Sequence, residues 1–179
     1  PTERWFWFDP PFHPNQSVIR IDGSKGMLAE NRIDSKSQLW DLNLGLPPFP
    51  EKPKLLASSF ALHWLSDPTI RLQEWFQALA PGGWLAIAIP VEGCFPQWHL
   101  AASKANVSCT AMSFPSRDSL IKALKPDQLR YEQLFRFTQK ASEVSSLLKP
   151  IIKTGAHSHL KPALSIGEWR RLNKKWPRS

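Results

Sequence analysis

The sequence has little cysteine, glycine or tyrosine and no long apolar run. Its 179 residues include 2 Cys, 8 Gly and 1 Tyr. Cys94 and Cys109 form no Cys-x-x-Cys pair, which excludes a disulfide scaffold and a cysteine zinc site and points to a reducing, cytoplasmic compartment. His13, His99, His157 and His159 have no Asp, Glu or Cys at metal-ligand spacing, so no metal is expected. No apolar stretch approaches the ~20 residues of a membrane span, and Pro-Thr-Glu-Arg-Trp is no basic region leading into an apolar one, so neither a span nor a secretory leader is expected. There is no G-x-S-x-G elbow and no P-loop, which removes the motifs of serine hydrolases and P-loop nucleotide hydrolases.

What is present describes a globular chain, 42% hydrophobic and 21% charged, long enough for one domain over residues 1–179. A net charge of +8 favours an acidic partner without saying whether it is protein, nucleic acid or phosphate. The 9 Trp are core mass or binding surface, and the 17 Pro break the chain into short segments.

Residues 1–16 read as an irregular aromatic and proline-rich segment. Ser17 to Asp22 reads as a short buried strand, Lys25 to Arg32 as a helix and Gln38 to Asp41 as a second strand. Lys54 to Ser59 is a third. Asp67-Pro68 then opens a helix with an acid at the N-cap and proline in its first turn. Leu72, Trp75, Phe76 and Leu79 give it one apolar face, and Pro81-Gly82-Gly83 stops it. Trp84 to Ile89 is continuously apolar, as in a strand covered on both faces. Strand, helix and strand in this order predict a parallel βαβ unit. Further on, Phe95–Asn106 and Ser116–Lys125 read as helices. Gln128–Phe137 alternates like a strand, with Leu129, Tyr131, Phe135 and Phe137 on one face. Lys140–Lys153 has helical spacing up to a stop at Gly155. Ser165-Ile-Gly-Glu168 is a capping box ahead of a helix carrying Trp169, Leu172 and Trp176.

Three places carry polar groups suited to a ligand. Asp22, at the tip of a parallel strand, lies where open α/β sheets bind ligands and can accept both hydroxyls of a ribose; as Asp-Gly it is also a common turn. Asp41, at the next tip, can accept from an adenine amino group or be a surface acid. Ser58 and Ser59 close an apolar strand, with Phe60, His63 and Trp64 just beyond; each of these also fits a structural role. The basic residues after position 120 form either a patch or an ordinary solvated surface.

Taken in order, these segments resemble the class I S-adenosylmethionine methyltransferases. Ile21-Asp22-Gly23-Ser24-Lys25-Gly26-Met27-Leu28 is similar to their D-x-S-x-x-M-L motif. Trp40-Asp41 to Leu46-Pro47 is similar to D-x-x-x-L-P, Ser58 to Leu65 to S-N-x-A-L-Q-W with Ser59 in place of Asn and His63 in place of Gln, and Pro81-Gly82-Gly83 to the turn before the fifth strand. Phe114-Pro115-Ser116, Leu147 to Ala156 and Leu164 to Pro177 resemble segments of the malonyl-acyl-carrier-protein O-methyltransferases of biotin biosynthesis. The resemblance implies a Rossmann-like α/β fold, a mostly parallel sheet with helices on both faces, and a lid or substrate-side insertion at 91–127. It implies S-adenosylmethionine as cofactor and methyl transfer to a carboxylate on an acidic acyl carrier protein. Asp22, Gly23, Met27, Asp41, Leu42, Ser58, Phe60 and His63 would line the cofactor, and Trp64, Arg130 and Arg136 the substrate. The family's Gly-rich first turn has no counterpart before Asp22, since residues 1–21 contain no glycine, and its last strands have none after Pro177. The chain is therefore expected to be either a fragment or a degenerate relative, with weak cofactor binding if nothing replaces those strands. A non-catalytic, protein- or carrier-binding module and, on charge alone, a nucleic-acid-binding protein are the other readings.

Overall fold

A computed structural model of the chain describes residues 18–29, 36–141, 144–147 and 164–177. The expected segment at 1–16, the stop at Gly155 and most of Lys140–Lys153 lie outside these residues. The chain divides into two compact units, Pro1–Lys52 and Pro53–Ser179.

In the first unit, β1 (Ile19–Asp22) leads into α1 (Lys25–Ala29), and β2 (Lys36–Leu39) pairs with β1 in parallel, Ile19 opposite Lys36 and Asp22 opposite Leu39. The second strand thus lies earlier than the Gln38–Asp41 expected from its apolar residues. The chain leaves β2 at Trp40, whose N–H donates to Asp22 O at 3.0 Å. A single 3-10 turn, Leu42–Leu44, follows. Asp41 caps it, its Oδ1 accepting from Asn43 N at 2.9 Å. Gly45, with φ 96°, then reverses the backbone in a region that glycine enters without a Cβ clash.

In the second unit, β3 (Leu55–Ser59), α2 (Pro68–Ala78) and β4 (Trp84–Ala88) form the expected parallel βαβ, with Ser59 opposite Ala88. Asp67 caps α2, its Oδ1 accepting from Ile70 N at 3.1 Å and Thr69 Oγ1 at 2.7 Å. Those bonds to the ionised form, the Ile70 N–H first, lower its pKa. Leu72, Trp75 and Leu79 are buried. The helix ends at Ala78, before the Pro81-Gly82-Gly83 turn. Gly83 fits because its missing Cβ would meet Ala80 O at 2.9 Å and Lys54 O at 3.1 Å, and those backbones are bonded to the turn and to the start of β4.

β4 departs from the expectation of burial on both faces. Trp84 is 62% exposed and Ala88 is exposed; among the described residues β4 has one strand partner, β3. The parallel α/β character holds, and α1 packs against β1 and β2 as α2 does against β4.

Among the described residues further helices follow: α3 (Pro96–Ala105), α4 (Arg117–Lys122) and α5 (Ile166–Lys175), with residues 144–147 also helical between the last two. The capping box forms as read, Glu168 N donating to Ser165 Oγ and Ser165 N to Glu168 Oε2. α5 places Leu172, fully buried, against Ala101, Ala102 and Ala105 of α3, small residues that let the two helices approach closely. Ser116 caps α4 as expected, but the helix stops short of Lys125. Gln128–Phe137 is not a strand. Its backbone is irregular, and residues 131–141 are all exposed. The alternation of Leu129, Tyr131, Phe135 and Phe137 finds no neighbouring strand among the described residues, and without ladder bonds alternation alone does not make a strand. Arg117 fixes the segment instead through a two-pronged ion pair with Glu132, Nε to Oε1 at 2.8 Å and Nη2 to Oε2 at 2.7 Å.

Candidate active site

The parallel strands bring the polar residues to their carboxyl ends. In the first unit, Asp22 ends β1 half-buried and Asp41 stands just past the end of β2. The two acids therefore occupy adjacent strand tips, the arrangement that makes ligand sites in open α/β sheets. Each carboxylate is also engaged locally: Asp22 Oδ1 accepts from Ser24 N at 2.8 Å, and Asp41 Oδ1 from the Asn43 backbone N and Nδ2. The turn reading and the ligand reading thus coexist, since a carboxylate has room for about four acceptor bonds. Gly23 is exposed, and a Cβ there would meet nothing nearer than Trp40 O at 3.7 Å. Met27 is 53% exposed on α1, while Leu42 is half-buried in the 3-10 turn.

In the second unit, Ser58 lies near the end of β3, with Phe60 directly after the strand. Phe60 N–H donates to Ala88 O at 2.8 Å, extending the ladder by one bond, and its φ of 54° places it in the left-handed region. For a bulky non-glycine residue that conformation is strained, and such outliers cluster at functional sites. A 3-10 turn, Leu62–Trp64, then carries His63, only 9% exposed, into a cluster of rings. Trp64 is centred 5.1 Å from His63, Phe114 5.4 Å and Phe60 6.3 Å. Phe95 continues the row, 6.0 Å from Phe114 and 6.2 Å from Trp98, and its φ of 56° is also left-handed.

Burial lowers the His63 pKa to about 4, because an apolar surrounding penalises the imidazolium. His63 is therefore neutral at pH 7. Its Nδ1 and the Ser58 Oγ are buried without a hydrogen-bond partner among the described residues. A buried polar atom left unpaired costs about 1–3 kcal/mol, so both atoms suit a ligand that supplies the missing bonds.

The sequence pattern does not mark Phe114 or Phe95 as site residues. Phe114 entered only as part of a Phe-Pro-Ser segment, and no local pattern tells that it meets His63 across fifty residues of chain. Arg130 and Arg136, expected at the substrate side, are exposed in the irregular segment that Glu132 ties to α4.

Comparison with known proteins bears on this geometry. Residues 7–87 match a family described as methyltransferase domain. The chain shares 31% identity over 116 residues with a trans-aconitate 2-methyltransferase of Variovorax paradoxus, covering 63% of this chain and 44% of that protein. A second trans-aconitate 2-methyltransferase, from Methylobacterium radiotolerans, is 27% identical over 161 residues, 88% of this chain and 59% of its own length. A malonyl-[acyl-carrier protein] O-methyltransferase of Alcanivorax borkumensis is 27% identical over 176 residues, 91% of this chain and 59% of its own length. The chain thus spans about half the length of the curated relatives it matches. These findings support the class I S-adenosylmethionine methyltransferase resemblance, weakly on its malonyl side, and S-adenosylmethionine is the methyl donor they imply. Among the described residues no helix is long and apolar enough to cross a membrane.

Proposed function

We propose that this chain binds S-adenosylmethionine and serves methyl transfer to a carboxylate, with the malonyl thioester of an acyl carrier protein as acceptor. The observation that carries the reading is the pair of acids, Asp22 and Asp41, at adjacent tips of two parallel strands. Asp22 would take the ribose hydroxyls, as a half-buried acceptor with one oxygen already oriented by Ser24. Asp41 and Leu42 would border the adenine, with Gly23 and Met27 beside the nucleoside.

Ser58, Phe60 and His63 would face the methionine and methyl end, and the unpaired Ser58 Oγ and His63 Nδ1 fit a group that brings hydrogen-bonding partners. When bound, the donor supplies a sulfonium methyl that a carboxylate oxygen takes by in-line displacement, forming O–C as S–C breaks. A carboxylate is ionised at pH 7, so the chain needs no general base. Its work is to position the reactants and exclude water. Neutral His63 suits this role, because an imidazolium would repel a sulfonium. Trp64, Arg130 and Arg136 would lie toward the acceptor, and the net charge of +8 complements an acidic carrier protein.

Titration calorimetry with S-adenosylhomocysteine tests the reading. The folded chain binds it, and Asp22→Ala weakens binding by roughly 1–3 kcal/mol through loss of a buried polar contact. Affinity unchanged in Asp22→Ala would refute the ribose role. A folded chain that leaves the compound unbound would be the non-catalytic module instead.

A further inference from the structure

Away from the strand ends, α3 brings a thiol and an imidazole together. His99 stands exposed on α3. Past the helix, Asn106 adopts a left-handed conformation at φ 51°, and Val107 N–H donates back to Ala102 O. The chain is thereby turned so that Cys109 Sγ lies 3.4 Å from His99 Nδ1. Cys109 is half-buried, with its inner side against the cluster of Ala101, Ala102, Ala105 and Leu172 that joins α3 to α5. Cys94 is half-buried too, but no hydrogen bond joins it to an imidazole among the described residues.

The thiolate is the reactive form of cysteine, and a base within hydrogen-bonding reach raises its share. We propose that Cys109, with His99 as its proton acceptor, is a reactive thiol that is modified by small disulfides. The proton passes from Sγ to His99 Nδ1. The thiolate attacks one sulfur of the disulfide, the S–S bond breaks, and the other half leaves as a thiolate, giving a mixed disulfide on Cys109. Because Cys109 packs against the α3–α5 cluster, an adduct on it crowds that packing. Modification therefore loosens the packing that Leu172 provides.

The test incubates the intact chain with oxidised glutathione at pH 7 and follows each cysteine by peptide mass spectrometry. Cys109 is expected to be modified about tenfold faster than Cys94, because an imidazole stands within reach of its sulfur. His99→Gln is expected to bring Cys109 down to the rate of Cys94 without altering Cys94, and the Cys109 adduct to melt at a lower temperature than the unmodified chain. Equal rates at the two cysteines, or a Cys109 rate unmoved by His99→Gln in a folded variant, would overturn the proposal. The comparison of the two cysteines within the native chain decides the matter even if the variant fails to fold.

Discussion

The burial of His63 makes a quantitative statement about acid stability. In the folded chain its pKa is lowered to about 4, against an ordinary value of 6.5. Between those two values the unfolded chain holds a proton that the folded chain does not. Stability therefore falls as pH falls, because it rises with pH wherever the unfolded state binds more protons. The loss begins near pH 6.5 and levels off below pH 4. A displacement of that size is worth about 3 kcal/mol in full, of which roughly 2 kcal/mol is lost between pH 7 and pH 4.5. That is a large share of the 5–15 kcal/mol that holds a typical domain together. Asp67, Glu132 and Glu168 have lowered pKa values, by the Ile70 N–H, the Arg117 guanidinium and the Ser165 hydroxyl respectively. Their stabilisation is present above the ordinary carboxylate range and is lost at lower pH, so it leaves the window from 6.5 to 4.5 to His63. Urea unfolding at a series of pH values measures the slope directly. His63→Phe, which keeps a ring among Trp64, Phe114 and Phe60 but cannot titrate, is expected to flatten it. Parallel curves for wild type and His63→Phe across that window would refute the reasoning.

Two further changes test the scaffold. Gly83→Ala places a methyl 2.9 Å from Ala80 O and 3.1 Å from Lys54 O; an overpacking cost of about 1–3 kcal/mol is expected, read as a lower urea midpoint, and an unchanged midpoint would mean that the turn yields freely. Ser165→Ala removes the hydroxyl that caps α5 and is expected to cost about 1 kcal/mol; amide exchange should rise in the first turn of α5, and protection equal to wild type would show that Leu172 alone holds the helix.

Much of the fold was legible where local chemistry is decisive. Asp67-Pro68 starts α2 and Ser165 with Glu168 starts α5 because an N-cap needs only residues three apart in sequence. The parallel βαβ followed from an apolar run, an amphipathic helix and a glycine turn in order. The two acids of the candidate site were legible in the same way, since a residue that ends a parallel strand is carried to the edge of its sheet.

Elsewhere tertiary structure decided. Gln128–Phe137 has a strand's alternation, yet with no ladder to join it is held by Arg117 and Glu132, a pair fifteen residues apart that no periodicity announces. Trp84 heads an apolar strand but is exposed, because an apolar run shows that a strand forms and not what covers each of its side chains. Sequence likewise placed His63 after β3 but not among Trp64 and Phe114. Its lowered pKa comes from burial, since desolvation belongs to a place in the folded chain and not to a residue type.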